Sequence, residues 1–118
     1  MQPRDIPLLE HILDYCEDIH DVMVSLEGDY DRFIADRKAQ YAIAFSILQI
    51  GELVNKLSEE LRNHTTEEIT WSAIKGMRNI IAHDYGMIRL NVVWNTAMED
   101  VPVLRSFCEA HLKDKIRD

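Results

Sequence analysis

Glycine and proline are scarce, at four and three of 118 residues. A β-sandwich or barrel needs turn signals about every 8–12 residues, so the shortage excludes those folds and leaves helices as the expectation. Long apolar runs are missing too. The longest, Tyr41 to Ile50, is interrupted by Ser46 and Gln49 and bounded by Arg37, Lys38 and Glu52, short of the roughly 20 residues that a membrane-spanning helix requires. The opening Met-Gln-Pro-Arg-Asp leads into Glu10, His11 and Asp14 rather than an apolar signal core. A cytoplasmic protein with no membrane attachment is therefore expected. Cysteine is limited to Cys16 and Cys108, which sit at apolar positions of different helical patterns, so buried free thiols are expected rather than a disulfide or metal pair. Positive charge is also in short supply. Thirteen Lys and Arg against 21 Asp and Glu give a net charge of −8, which argues against a protein that coats nucleic acid non-specifically. Binding of phosphate would need cations concentrated at one point or supplied by a second copy of the chain.

What is present is periodicity. The length suits one compact domain over residues 1–118, and four apolar patterns with a period near 3.6 run through it. The first, Ile6 to Val24, carries a stripe of Leu9, Leu13, Cys16, Ile19 (or His20) and Met23. Gly28 then offers a left-handed turn. The second, Tyr30 to about Asn63 with an irregular stretch before Arg37, carries Ile43, Ile47, Ile50, Val54, Leu57 and Leu61 at spacings of 4, 3, 4, 3 and 4, a heptad seam. A second stripe on the same segment, Tyr41, Phe45 and Leu48, continues as Glu52, Asn55 and Glu59. A helix apolar on two faces is either central in a bundle or paired with another subunit. Thr65 or Thr66 is the expected N-cap of the third segment, Trp71 to Tyr85, which Gly86 terminates. The fourth, Leu90 to about Lys113, has Pro102 inside it, which predicts a kink or break at Val101. The expected fold is all-α: an antiparallel up-and-down bundle of four main helices.

The third segment holds the chemistry. Arg78, Asn79, His83 and Tyr85 fall within ten residues ending at Gly86. On an ideal helix Arg78 and His83 are separated by about 140° and 7.5 Å, so Arg78 must bend toward the helix end, whereas Asn79 is placed at i, i+4 to hydrogen-bond the His83 imidazole. If the second and third segments pair antiparallel about a turn near residues 64–69, His83 falls beside Gly51 and Arg78 beside Lys56. Glu52, a carboxylate on an otherwise apolar stripe, then has Arg78 and His83 as the nearest cationic partners. No nucleophilic Ser or Cys accompanies the group. RNA brings its own nucleophile in the 2′-hydroxyl, and its cleavage needs a base, an acid and a cation for the pentacovalent phosphate. Histidine as a residue type has an unperturbed pKa near neutrality, which suits His83 to proton transfer; Arg78 is a permanently charged fork for phosphate oxygens. Neither metal nor cofactor is called for. One copy offers one such histidine, so a homodimer bringing two copies of the segment into one cleft is part of the expectation.

The spacing R-x4-H-x-Y, here Arg78 to His83 to Tyr85, resembles the signature of the HepT-like ribonuclease toxins of the HEPN fold. Gly51-Glu52, Trp71 ahead of Met77-Arg78-Asn79, and Asp100-Val-Pro-Val-Leu104 are similar to that family's pattern as well. The resemblance implies a helical dimer with a composite, metal-independent endonuclease site at the dimer cleft carrying Arg78 and His83, acting on RNA such as tRNA or mRNA. It also implies a minimal nucleotidyltransferase antitoxin as partner, able in some systems to transfer AMP onto the motif tyrosine, here Tyr85. The competing expectation is a non-catalytic helical dimer that serves as a nucleotide-binding or partner-recognition subunit of a nucleotidyltransferase complex, which the acidic composition suits. His11, His20, His64 and His111 lie on separate segments without ligand spacing and are expected to be structural. Trp71 and Trp94 are expected in the core.

Overall fold

The computed structural model describes residues 1–80 and 88–117, apart from the side chains of Arg78, Ile80 and residues 114–117. Helix α1 spans Asp5–Ser25, α2 Tyr30–Ile34, α3 Arg37–Lys56, α4 Glu59–His64 and α5 Trp71–Lys75. A 3-10 segment follows at Gly76–Ile80; α6 then covers Leu90–Asn95, a π-helical turn Thr96–Asp100, and α7 Val101–Arg117. Among the described residues there is no β-strand.

Helix α1 packs against both α3 and α7. The seam of Ile43, Ile47, Ile50 and Val54, extended by Leu57 and Leu61, is buried throughout, and each such side chain contributes about 1.5–3 kcal/mol by leaving water. On α1 the fully buried line is Leu9, Ile12, Cys16 and Ile19. Leu13 and Met23, expected in that line, are only partly buried, and His20 is exposed, because α1 meets α3 and α7 at once and the line between two neighbours shifts to Ile12. Cys16 and Cys108 are buried free thiols, as expected.

The second segment is not continuous to Asn63. Leu57 and Ser58 adopt extended backbone, with ψ of 149° at both, which separates α3 from α4. The cause is polar. The Ser58 hydroxyl accepts from the Leu61 N–H at 3.2 Å as the N-cap of α4, and it donates to the Asp5 carboxylate at 2.6 Å. The Ser58 N–H donates to the same carboxylate at 2.8 Å and the Gln2 N–H at 2.9 Å. Asp5 is completely buried at the start of α1, so one carboxylate joins the first turn of α1 to the α3–α4 break. Burial alone would raise its pKa, but the Ser58 side-chain and backbone hydrogen bonds, that from Gln2 and the charge of Arg4 hold it below the usual carboxylate range.

Two other expectations take a specific form. Gly28 is left-handed at φ 64°, and Glu27 before it is left-handed too at φ 56°. Pro102 does not break the last helix: backbone angles at Asn95, Thr96 and Val101 are all helical. Instead the helix widens, and the Val101 N–H donates to the Thr96 carbonyl five residues back. A proline cannot donate to the carbonyl four residues before it and its ring crowds that carbonyl, so a π turn just ahead of Pro102 relieves both problems while the backbone stays helical.

Candidate active site

The Arg78 segment is held by a chain of contacts that starts in α4. Thr65, expected to cap the third segment, instead ends α4, and Thr70 is the residue at the N-terminus of α5. The buried Thr65 hydroxyl donates to the Leu61 carbonyl at 2.7 Å and accepts from the Trp71 indole N–H at 2.9 Å. The Trp71 ring meets Phe107 of α7 edge-on, with centroids 5.3 Å apart, and the Phe107 and His111 rings lie tilted against each other with centroids 4.2 Å apart. His111 Nε2 lies 3.0 Å from Glu68 Oε1. Trp71 is thus core, as expected, and it fixes α5 between α4 and α7. Trp94 belongs to a second aromatic group, against Phe33 at 5.1 Å and Tyr30 at 5.5 Å.

Beyond Lys75 the α-helix does not continue as expected. The chain tightens into the 3-10 segment, and Asn79 departs from helical angles at φ −95° and ψ 21°. The expected Asn79–His83 hydrogen bond lies outside the described residues. The segment packs on α3, with Met77 buried against the core and Asn79 exposed. The structure therefore brings the backbone of Arg78 onto the same helix that carries Glu52, which is exposed on α3. The Arg78 side chain, and His83 and Tyr85 entirely, lie outside the described residues. So does the expected placement of His83 beside Gly51.

Elsewhere, a groove of about 580 Å³ lies between α1 and the π turn and α7, lined among others by Ile19, His20, Met23, Met98 and Arg105. It shares neither Glu52 nor Asn79 and stands apart from the motif segment. Asp100, which closes the π turn, has its carboxyl pushed up first by burial and then by the charge of Glu99. Among the described residues no group of three or more His, Cys, Asp or Glu side chains is arranged to hold a metal ion. No helix among them is long and apolar enough to cross a membrane. Sequence reasoning missed Asp5 and Ser58, although Ser58 followed by Glu59 and Glu60 is a readable helix-start signal.

Against this fold and motif, the family model described as "Ribonuclease HepT-like" matches residues 12–111, an interval that includes Glu52 and the whole stretch from Arg78 to Tyr85. Named relatives agree. The chain is 31% identical over 115 residues to "Putative RNase MJ0125" of Methanocaldococcus jannaschii, covering 97% of both chains. It is 31% identical over 98 residues to "Putative RNase TTE0752" of Caldanaerobacter subterraneus subsp. tengcongensis, covering 83% of this chain and 85% of that one. With "Probable ribonuclease HepT" of Thermococcus cleftensis it shares 29% identity over 97 residues, 78% of this chain and 87% of that protein. No solved structure gives a significant match. The class defined is that of endoribonucleases built on helices. Within it, the chain belongs to the HepT-like ribonuclease family.

Proposed function

We propose that this chain is a metal-independent RNA endonuclease and the toxin of a toxin–antitoxin pair, working as a homodimer whose two copies of the Arg78–Tyr85 segment share one cleft. The observation that carries the reading is the family match, whose interval includes that segment. Each copy is taken as one HEPN-like domain, an up-and-down bundle of four main helices in which the Trp71 region forms the short third member.

In the mechanism, Arg78 binds the scissile phosphate and offsets the charge that grows on its equatorial oxygens. One His83 takes the proton of the ribose 2′-hydroxyl as its oxygen attacks the adjacent phosphorus. The bond from phosphorus to the 5′ oxygen breaks, and the His83 of the partner subunit protonates that leaving oxygen. The products are a 2′,3′-cyclic phosphate and a 5′-hydroxyl, and no water is consumed. Glu52 on α3 orients Arg78 or His83, Asn79 lines the cleft, and Tyr85 is the site at which a nucleotidyltransferase antitoxin attaches AMP. Such an adduct sets negative phosphate against Arg78 where the RNA phosphate belongs, so it inhibits by charge and by bulk.

The test is degradation of tRNA and mRNA by the purified protein in EDTA, compared with His83→Ala and Arg78→Ala. The expected result is cleavage lowered at least 100-fold in either variant, with cyclic-phosphate ends in the wild type. The net charge of −8 favours a second reading, a non-catalytic subunit of a nucleotidyltransferase complex. RNA left intact by the wild type, or cut equally by His83→Ala, overturns the nuclease assignment in its favour.

A further inference from the structure

The groove between α1, the π turn and α7 holds about 580 Å³, within the roughly 300–1,000 Å³ usual for small-molecule sites. Its walls are largely apolar: Ile19 and Met23 come from α1, Met98 from the π turn, and Val101 and Pro102 from α7. Met98 is 48% exposed, and a methionine side chain is flexible enough to shape itself to a guest. Pro102 accounts for the π turn, and the turn in its place gives the groove Ala97 and Met98. Turns of this kind recur at functional sites.

One polar group at this groove has no partner that uses it. The Nε–H of Arg105 is cut off from solvent, and among the described residues nothing accepts a hydrogen bond from it. Glu109 Oε1 lies 3.2 Å from that nitrogen, so it offsets the charge. It stands off the line of the N–H, however, and does not take the bond. A shielded donor left without an acceptor is costly and rare in folded proteins. The guanidinium also leans toward α1. Burial pushes the Cys16 thiol up, and the charge of Arg105 is near enough to oppose that rise.

We propose that the groove binds an aliphatic carboxylate, with its two oxygens on the Nε–Nη edge of Arg105 and its chain along Ile19, Met23 and Met98. That edge of a guanidinium is a planar fork that matches a carboxylate, and the Glu109 side chain, 46% exposed, swings into water to admit it. Met98 and Arg105 are seven residues apart, about 10 Å along the helix, which suits a tail of medium length rather than acetate. A cationic guest would match Glu109 but meet Arg105 with like charge and leave its N–H without an acceptor. A neutral guest would fill the walls and leave the same N–H unsatisfied. A second negative group on the guest is disfavoured, because exposed Glu17 and Asp21 flank His20 on α1. The site shares no residue with the Arg78 segment and does not depend on RNA cleavage.

The experiment titrates the full chain, labelled with carbon-13 at its methionine methyls, with decanoate, decanol and decylamine. The Met23 and Met98 resonances are assigned through Met23→Leu and Met98→Leu. Decanoate is expected to shift both saturably, to leave that of the buried core residue Met77 in place, and to raise Tm with its concentration. Decanol and decylamine are expected to bind about tenfold more weakly or worse, and Arg105→Gln to lower decanoate affinity by a similar factor, since a charge-assisted pair is lost. Glu109→Gln removes the competing carboxylate and is expected to tighten decanoate binding severalfold. A helical circular dichroism spectrum confirms that each variant is folded. The proposal is overturned if Met23 and Met98 show no saturable shift, or if decanol or decylamine matches decanoate. Binding by Arg105→Gln within twofold of wild type, or by Glu109→Gln no tighter than wild type, overturns it as well. None of these readouts involves RNA, so failure of the nuclease reading leaves them intact.

Discussion

Replacing Asp5 by Ala tests the polar staple at the α3–α4 break. The carboxylate is fully buried and accepts from the Ser58 N–H, the Ser58 hydroxyl and the Gln2 N–H. Ser58 is itself fully buried, so removing the acceptor strands donors with no access to water. A buried unsatisfied donor costs about 1–3 kcal/mol; taking the two Ser58 donors near the low end, and allowing Gln2 to find solvent, the expected loss is about 3 kcal/mol. For a chain of this size that is a fall in Tm of roughly 10 °C, measured by thermal melting at pH 7. Ser58→Ala keeps the backbone donor and loses the hydroxyl and its cap, so about half that fall is expected. The pH dependence has a definite sign. The folded pKa of Asp5 is depressed, so its contribution is fully present above the unfolded carboxylate pKa and is lost as pH falls through the lower folded value. Wild type should therefore lose stability on acidification below about pH 4 more steeply than Asp5→Asn, which has no proton to take up. A Tm for Asp5→Ala within 2 °C of wild type, or parallel acid profiles for wild type and Asp5→Asn, would show that the staple is not holding the break.

The thiols give a second check: burial pushes Cys16 up to about 12 and Cys108 higher still, so neither should react with a thiol reagent at pH 8 until denaturant is added. Prompt labelling of the native protein would place a cysteine at the surface. Gly28→Ala should cost about 1 kcal/mol, read from urea unfolding with an unchanged m-value, because φ is 64° there and nothing crowds the added carbon.

Much of the fold was legible because it depends on period. The seam from Ile43 to Leu61 and the last helix from Leu90 onward are set by spacing alone, and burial follows them. What spacing could not show is the break at Leu57–Ser58, since both residues fit the heptad and the deciding partner, Asp5, lies 53 residues away in sequence. Pro102 signalled a disturbance, but not that it takes the form of a π turn over Thr96–Asp100 rather than a break. Thr65 looked like a cap because its residue type favours caps; a buried indole N–H six residues on claims its hydroxyl instead. At the candidate site the sequence supplied the residue types and their order. The structure supplied the anchoring of their segment through Trp71 and Met77, and it replaced the ideal α-helix through Asn79 with 3-10 turns.

The acidic character of the chain yields the sharpest test of how RNA is held. A protein that releases counterions by contacting Z phosphates of a single strand loses affinity with a log–log salt slope near −0.7Z. With a net charge of −8, the composite cleft proposed above would work through the few cations it gathers, chiefly the Arg78 of each copy, which would make Z about 2 to 4. The slope of log(1/KM) against log salt should then lie between about −1.5 and −3. Arg78→Gln should reduce its magnitude as well as the affinity, since the variant removes one phosphate contact per copy. A basic track elsewhere on the surface behaves differently: it produces a slope beyond about −5 that Arg78→Gln leaves almost unchanged. Such a result would place RNA binding outside the motif cleft even if His83 still carried the proton, and recognition and chemistry would then belong to different faces of the molecule.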